Sequence, residues 1–251
     1  MMKSRTRIVT RRLRLGDIPA LLDLERRQWT QDQAADAEDF RNRIDTHPAL
    51  CNGAFDAETG ELLASLFCKP TTDAEWVQAR DWETSASLAA GKTRVSAADA
   101  LFGISLTSID ARAALQVIAF QYLAAIRSGQ RCVYLGSPMP GWSRHLARNP
   151  GASVENYARS TKAGLPADPQ LRYYHDKGFR RIVTIRENYF PHEASGNHGA
   201  ILKARVPFAW MRPLLLLLPE RSLRAMSARA PRFAIPREAP DGAPRSRLAP
   251  R

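Results

Sequence analysis

Cysteine is scarce. Only Cys51, Cys68 and Cys132 occur in 251 residues. Their number is odd and their spacing fits no metal-ligand pattern, so neither a disulfide framework nor a metal module organises the chain, and a reducing, cytoplasmic setting is expected. Long apolar runs are missing as well. The longest, residues 214–218, lies between Pro213 and Pro219 and is far too short to span a bilayer. Residues 1–15 are basic but have no apolar stretch of the kind a secretion signal needs. Acidic residues are few: 25 Asp plus Glu against 37 Lys plus Arg, a formal net charge of +12. Such an excess attracts nucleic acid, anionic lipid, an acidic protein or a phosphorylated cofactor. About half of it sits in residues 209–251, where nine arginines face Glu220, Glu238 and Asp241. The middle of the chain is nearly balanced, so no basic groove across the fold is implied. The tail lacks aromatics interleaved with its arginines, which disfavours nucleic acid as its partner.

Hydrophobic residues make up 44% of the chain, enough for an ordinary core. "TRIVTRRLRLGD" alternates apolar and basic residues and predicts an edge strand. Asp17 is expected to cap a helix with Pro19 in its first turn, running to about Trp29. "AEDFRNRIDTHP" predicts a second helix, stopped before Pro48. "CNGAFDAETGELLASLFCK" predicts a hairpin, with Gly60 supplying the positive φ of the turn. Residues 69–100 are polar, and Trp76 and Trp82 within them are expected to cover the core. "ALFGISLTSI" is the best central strand. Residues 111–128 repeat apolar residues at helical spacing up to Gly129, and "RCVYLGS" is the next strand. Residues 138–150 read as an irregular loop, then comes a short helix from Ser153, the turn "GLPADP", and a helix from Asp168 or Pro169 that closes at Gly178. "FRRIVTIREN" and "GAILKARVPF" are the last strands. After Phe208 the periodicity fails, and the Pro- and Arg-rich residues 227–251 are expected to be disordered. The order predicts a mixed α/β sheet with helices on its faces. The expected division is a domain over residues 1–206 and a tail over residues 207–251. Trp210, Met211 and residues 214–218 would dock on the domain itself, on a dimer partner or weakly on a lipid surface.

One stretch is more specific. Tyr173-Tyr174-His175-Asp176-Lys177-Gly178-Phe179 precedes a strand. With the element order, it resembles the GNAT acyltransferase superfamily over about residues 6–206. A narrower likeness joins Gly136-Ser137-Pro138-Met139-Pro140-Gly141-Trp142, Tyr157, Asp168-Pro169-Gln170-Leu171 and "ENYFPHEASGNHGAIL". These resemble the GNAT branch that includes domains fused to amidohydrolases and that is related to the GNAT-like decarboxylases loading some polyketide synthases.

The resemblance implies a GNAT fold: a central, mostly antiparallel twisted sheet flanked by helices. It implies an acyl thioester as donor, acetyl-CoA or another acyl-CoA, or an acyl group on the phosphopantetheine of an acidic carrier protein. Acyl transfer to an amine or a similar nucleophile is the leading expectation. Decarboxylation of a malonyl-type thioester and a non-catalytic binding module are the alternatives. Tyr174 falls where relatives protonate the leaving thiolate. The backbone of Leu106 and Thr107 would pair with the pantetheine arm, and the Thr107 hydroxyl could bind the thioester oxygen. The phosphate loop aligns with Asp110, Ala111, Arg112, Ala113, Ala114 and Leu115. It contains no glycine, and Asp110 would repel phosphates unless Arg112 offsets it; Asp110 as a plain helix cap reads equally well. Glu83 could act as a base through water. Relatives often carry His directly after the loop aromatic, where this chain has Ser143; if that histidine serves decarboxylation in relatives, its absence argues against decarboxylation here unless His145 substitutes. His192 and His198 lack acidic or Cys partners at ligand spacing, and no metal is expected.

Overall fold

The computed structural model describes residues 7–29, 34–72, 75, 79–88, 98–206 and 208–229. Trp76 and the stretch 230–251, both subjects of expectations above, lie outside these residues. Nine strands and nine α-helices are described: β1 Ile8–Arg12, α1 Ile18–Arg26, α2 Ala37–Thr46, β2 Cys51–Asp56, β3 Leu62–Thr71, α3 Trp82–Ala86, β4 Ala100–Ser108, α4 Ala111–Ser128, β5 Cys132–Pro138, α5 Trp142–Arg148, α6 Val154–Arg159, β6 Thr161–Lys162, β7 Leu165–Pro166, α7 Pro169–His175, β8 Arg181–Arg186, β9 Gly199–Arg205, α8 Arg212–Leu216 and α9 Glu220–Arg229. Seven strands form one sheet in the order β1-β2-β3-β4-β5-β9-β8. The pairs β1/β2, β2/β3, β5/β9 and β8/β9 are antiparallel, and β4/β5 is parallel. The mixed, mostly antiparallel sheet expected from the sequence is therefore present.

The chain divides into two compact units. The first comprises residues 1–67, 105–124 and 214–251; the second comprises residues 68–104 and 125–213.

In the first unit, the hairpin β2–β3 turns at Gly60, whose φ of +74° is open to glycine at no steric cost. Asp17 does not cap α1 with its side chain. Its carboxylate instead accepts two hydrogen bonds from the Arg11 guanidinium, both 2.7 Å, and the Arg14 N–H. That bidentate pair is stronger than a lone cap bond, which explains the departure from the expectation. α2 begins as read, with the Asp36 carboxylate accepting the Glu38 and Asp39 N–H groups.

The helices after Phe208 also depart from the expectation. No periodicity marks them in the sequence, but proline fits the first turn of a helix, where its N–H would be unpaired anyway. Pro213 is the second residue of α8, and Pro219 stands just before α9. Leu215 and Leu223 are buried, and Glu220 pairs with Arg12 of β1 and with Arg224. The described part of the expected tail is therefore helical and packed in the first unit from Leu214 on.

In the second unit, side chains of β5 and β9 alternate between two faces, as a pleated strand requires. On one face Leu135, Met139, Trp142, Tyr157, Ala158, Leu171, Ala200 and Leu202 form a cluster. On the other, Ala100, Phe102, Cys132, Tyr134, Tyr189 and Ile201 form a second, with Trp82 packed against it. Residues 142–148 form α5 rather than loop; the flanking Pro and Gly signals masked the helical spacing of Trp142, His145 and Leu146. The hairpin β6–β7 turns on Ala163 and Gly164, both at positive φ.

A candidate acyl-thioester site

The parallel ladder between β4 and β5 pairs Ala100–Gly103 with Cys132–Leu135 and stops there. β4 continues to Ser108 and β5 to Pro138. β5 finds its further partners on β9 alone, through Pro138↔Gly199. Beyond Gly103 the β5-side edge of β4 thus carries no ladder bond from β5. An unpaired strand edge is in general a template for an extended ligand with amide groups.

Thr107 lies on that continuation and is buried. Its hydroxyl donates to the Glu25 carboxylate and accepts the Trp29 indole N–H at 2.9 Å. Glu25 and Trp29 are absent from the candidates that the sequence offers. A signal is there: Glu25 falls in helical phase with Ile18 and Leu21, so α1 turns a carboxylate toward the core. Burial pushes the Glu25 carboxyl above its ordinary range, against the bonds from Thr107 and the Ala35 N–H and the charge of Arg43.

Asp110 caps α4. Its Oδ1 accepts the N–H groups of Arg112 at 2.8 Å and Ala113 at 2.9 Å, and its carbonyl accepts Ala114 N–H. These are the donors a phosphate would use at a helix N-terminus. Ala113 and Ala114 are buried, so their side chains serve the core rather than a ligand. Arg112 stays half-exposed, 3.9 Å from the Asp110 carboxylate.

In the second unit, the Pro-Gly loop is held by a fully buried carboxylate. Asp168 Oδ2 accepts the Tyr157 hydroxyl at 2.9 Å and the Gly141 N–H at 3.0 Å; Oδ1 accepts the N–H groups of Gln170 and Leu171. Burial, then the Asp168 charge, raises the Tyr157 pKa. Gly141 is required here, because a Cβ would stand 2.1 Å from the Tyr157 oxygen. The His145 ring lies 4.8 Å from Tyr157 and 6.1 Å from Trp142, whose edge His198 meets from 6.2 Å. Ser143 donates to the Glu193 carbonyl.

Tyr174, on α7, packs against this same cluster. Burial first, then neighbouring Tyr173, pushes its phenol up to about 12, partly offset by a bond from Gln170. The phenol is therefore neutral at ordinary pH. Tyr174 and His145 both belong to the Trp142–Tyr157 face, whereas Glu83 is exposed on α3, whose Trp82 packs on the opposite face. The structure does not bring Glu83 to Tyr174. On the Trp82 face, Tyr189 lies flush on two glycines: a Cβ at Gly136 or at Gly199 would stand 2.4 Å from its ring. Its hydroxyl bonds the Ser85 hydroxyl at 2.7 Å. Among the described residues, no group of three or more His, Cys, Asp or Glu could hold a metal, and no helix is long and apolar enough to cross a membrane.

The fold is that of the GNAT superfamily. The chain is similar to the structure named GphF GNAT-like decarboxylase in complex with isobutyryl-CoA, at 24% identity and TM-score 0.65, over 78% of this chain and 98% of that one. It is similar to the loading GNATL domain of CurA from Lyngbya majuscula, at 14% identity and TM-score 0.67, over 80% and 98%. Malonyl-CoA decarboxylase from Rhodopseudomonas palustris shares 14% identity at TM-score 0.57, over 87% of this chain and 62% of that one. No family model and no curated protein matches the sequence.

Proposed function

We propose that the chain is an enzyme of acyl thioesters and that it decarboxylates a malonyl-type thioester. The observation that carries the thioester is the β4 edge left free after Gly103. A pantetheine arm is extended and has amide groups, so it can add to that edge as a strand does. Leu106 and Thr107 then lie beside the acyl end.

Chemistry chooses between the two reactions. Transfer to an amine needs a base to remove the ammonium proton. Asp168 already accepts four hydrogen bonds, Glu25 is engaged by Thr107 and the Ala35 N–H, His145 is stacked among the rings of Trp142 and Tyr157, and Glu83 is exposed on α3. Decarboxylation needs no such base. The bond from Cα to the carboxylate breaks, its electron pair enters the thioester as an enolate, carbon dioxide leaves, and a proton adds at carbon. Thr107 would hold the enolate oxygen, and water can supply the proton. The three similar structures named above bear decarboxylase or loading-domain names, which supports the same choice.

Tyr174 favours acyl transfer as a second reading, since only transfer releases a thiolate that needs a proton. Its phenol is a weak donor for that role. Burial disfavours its phenolate, so it gives up a proton less readily than an ordinary tyrosine.

Malonyl-CoA incubated with the protein should yield acetyl-CoA and carbon dioxide, read by mass spectrometry. Intact malonyl-CoA beside an acylated amine or carrier would establish transfer instead. A ligand at a hundred times its Kd should also stabilise the fold by about 2.7 kcal/mol. Neither turnover nor stabilisation by any acyl thioester would leave a binding module.

The occupied α4 N-terminus implies a loose grip on CoA phosphates and suits a carrier-bound donor, whose acidic protein would complement the chain's positive charge. Asp110→Asn keeps the cap but removes the charge. CoA affinity should rise by about 2–5-fold, from a term of about 0.3–1 kcal/mol at a helix N-terminus. Unchanged affinity in titration calorimetry would place the phosphates elsewhere.

A further inference from the structure

The Thr107 hydroxyl has one hydrogen and two lone pairs, and its partners account for most of them. The Trp29 indole can only donate, so it occupies one lone pair. While Glu25 is ionised it can only accept, so it takes the sole hydrogen. Thr107 then has nothing to donate to a substrate oxygen. When Glu25 is protonated, its own O–H can donate to the second lone pair of Thr107. The Thr107 hydrogen is then released.

Glu25 is well placed to govern this. It is 3% exposed, and Thr107 is 1% exposed. Its Oε2 accepts the Ala35 N–H at 3.4 Å. The charged groups that act on it come from α2: Arg43, which favours ionisation, and Asp39, which opposes it. Arg43 is itself buried, lies over the Phe40 and Phe67 rings and is shared electrostatically with Asp39, Asp36 and Cys51, so it is not a dedicated counter-ion for Glu25.

We infer that Glu25 is a positioning residue: its protonation state decides whether Thr107 presents a hydrogen or only an acceptor to the acyl group. The inference rests on the reading of Thr107 as the donor to the thioester oxygen. It makes the protonated carboxyl the competent form. Turnover therefore falls as pH rises through the Glu25 ionisation, which lies above the ordinary carboxylate range.

The test compares wild type with Glu25→Gln. The glutamine carbonyl can accept the Ala35 N–H, and its amide can donate to Thr107 at every pH. Wild-type kcat with malonyl-CoA should fall along a single ionisation on the alkaline side of that value, and Glu25→Gln should lack this limb while retaining turnover. An identical limb in Glu25→Gln, or a variant that folds but is inactive at all pH values, overturns the inference.

A second measurement needs neither turnover nor the glutamine variant: the pH dependence of Tm for the apo protein, wild type against Thr107→Val. A carboxyl whose folded pKa is raised above its unfolded value stabilises below the unfolded pKa, and that contribution is lost as pH rises through the folded one. Losing the Thr107 bond lifts the folded value further. The fall in Tm should therefore move to higher pH in Thr107→Val; a fall at the same pH overturns the link between the two residues. If wild type turns over no acyl thioester at all, the thioester reading fails, and this second measurement still decides whether Glu25 and Thr107 are coupled.

Discussion

Thr107→Val should lower kcat on an acyl thioester by about 10²–10³-fold, the loss found when one preorganised oxyanion donor is removed. Valine keeps the β-branched shape that suits a strand, so β4 should hold its packing. What disappears is one O–H and one acceptor for the Trp29 indole. Leaving Trp29 and Glu25 short of a partner should also destabilise the fold by about 1–3 kcal/mol. The contrast between turnover and binding is the decisive readout. In the proposed mode the donor runs along the β4 backbone, which valine leaves intact, so stabilisation by isobutyryl-CoA should survive. A kcat within a factor of about two of wild type would remove Thr107 from the chemistry and leave it a strand residue with a buried hydroxyl.

Asp168→Ala should destabilise the fold by about 3–5 kcal/mol, because several buried donors lose their acceptor at about 1–3 kcal/mol each. The carboxylate is fully buried and accepts four hydrogen bonds, from Tyr157, Gly141, Gln170 and Leu171. Alanine leaves the Tyr157 hydroxyl and the Gly141 N–H without their acceptor in a closed space. It also uncaps α7, which carries Tyr174. A change of this size shifts Tm by about 6–20 °C in a chain of this length. Asp168→Asn, whose amide carbonyl can still accept, should recover part of the loss. A Tm for Asp168→Ala within about 2 °C of wild type, the shift expected for less than about 1 kcal/mol, would mean that the Pro-Gly loop is anchored by packing of Trp142 and Tyr157 rather than by this carboxylate.

Local rules make much of the fold legible. The helical repeat of residues 111–128 and the stop at Gly129 predict α4 to the residue. The β2–β3 hairpin follows from Gly60, and α7 from Asp168-Pro169. The failures share a cause. Proline and glycine make residues 138–150 read as a loop and periodicity fails after Phe208, yet helices form in both places. The Asp17 cap fails because a guanidinium on β1 outcompetes the local N–H groups. The candidate site is legible only residue by residue. Motif resemblance picks out Thr107, Asp110, His145 and Tyr174. It cannot pair Thr107 with Glu25 across 82 positions, or set Trp82 on the opposite face from Tyr174, because both depend on how strands and helices register in three dimensions.

The seating of Tyr189 constrains how this chain can change. Position 136 or 199 cannot gain a methyl group while the ring fills the space above it. A smaller side chain at 189 must come first, and it forfeits the bond to Ser85. The three positions therefore form one unit of inheritance, in which the order of substitutions decides whether the intermediates fold.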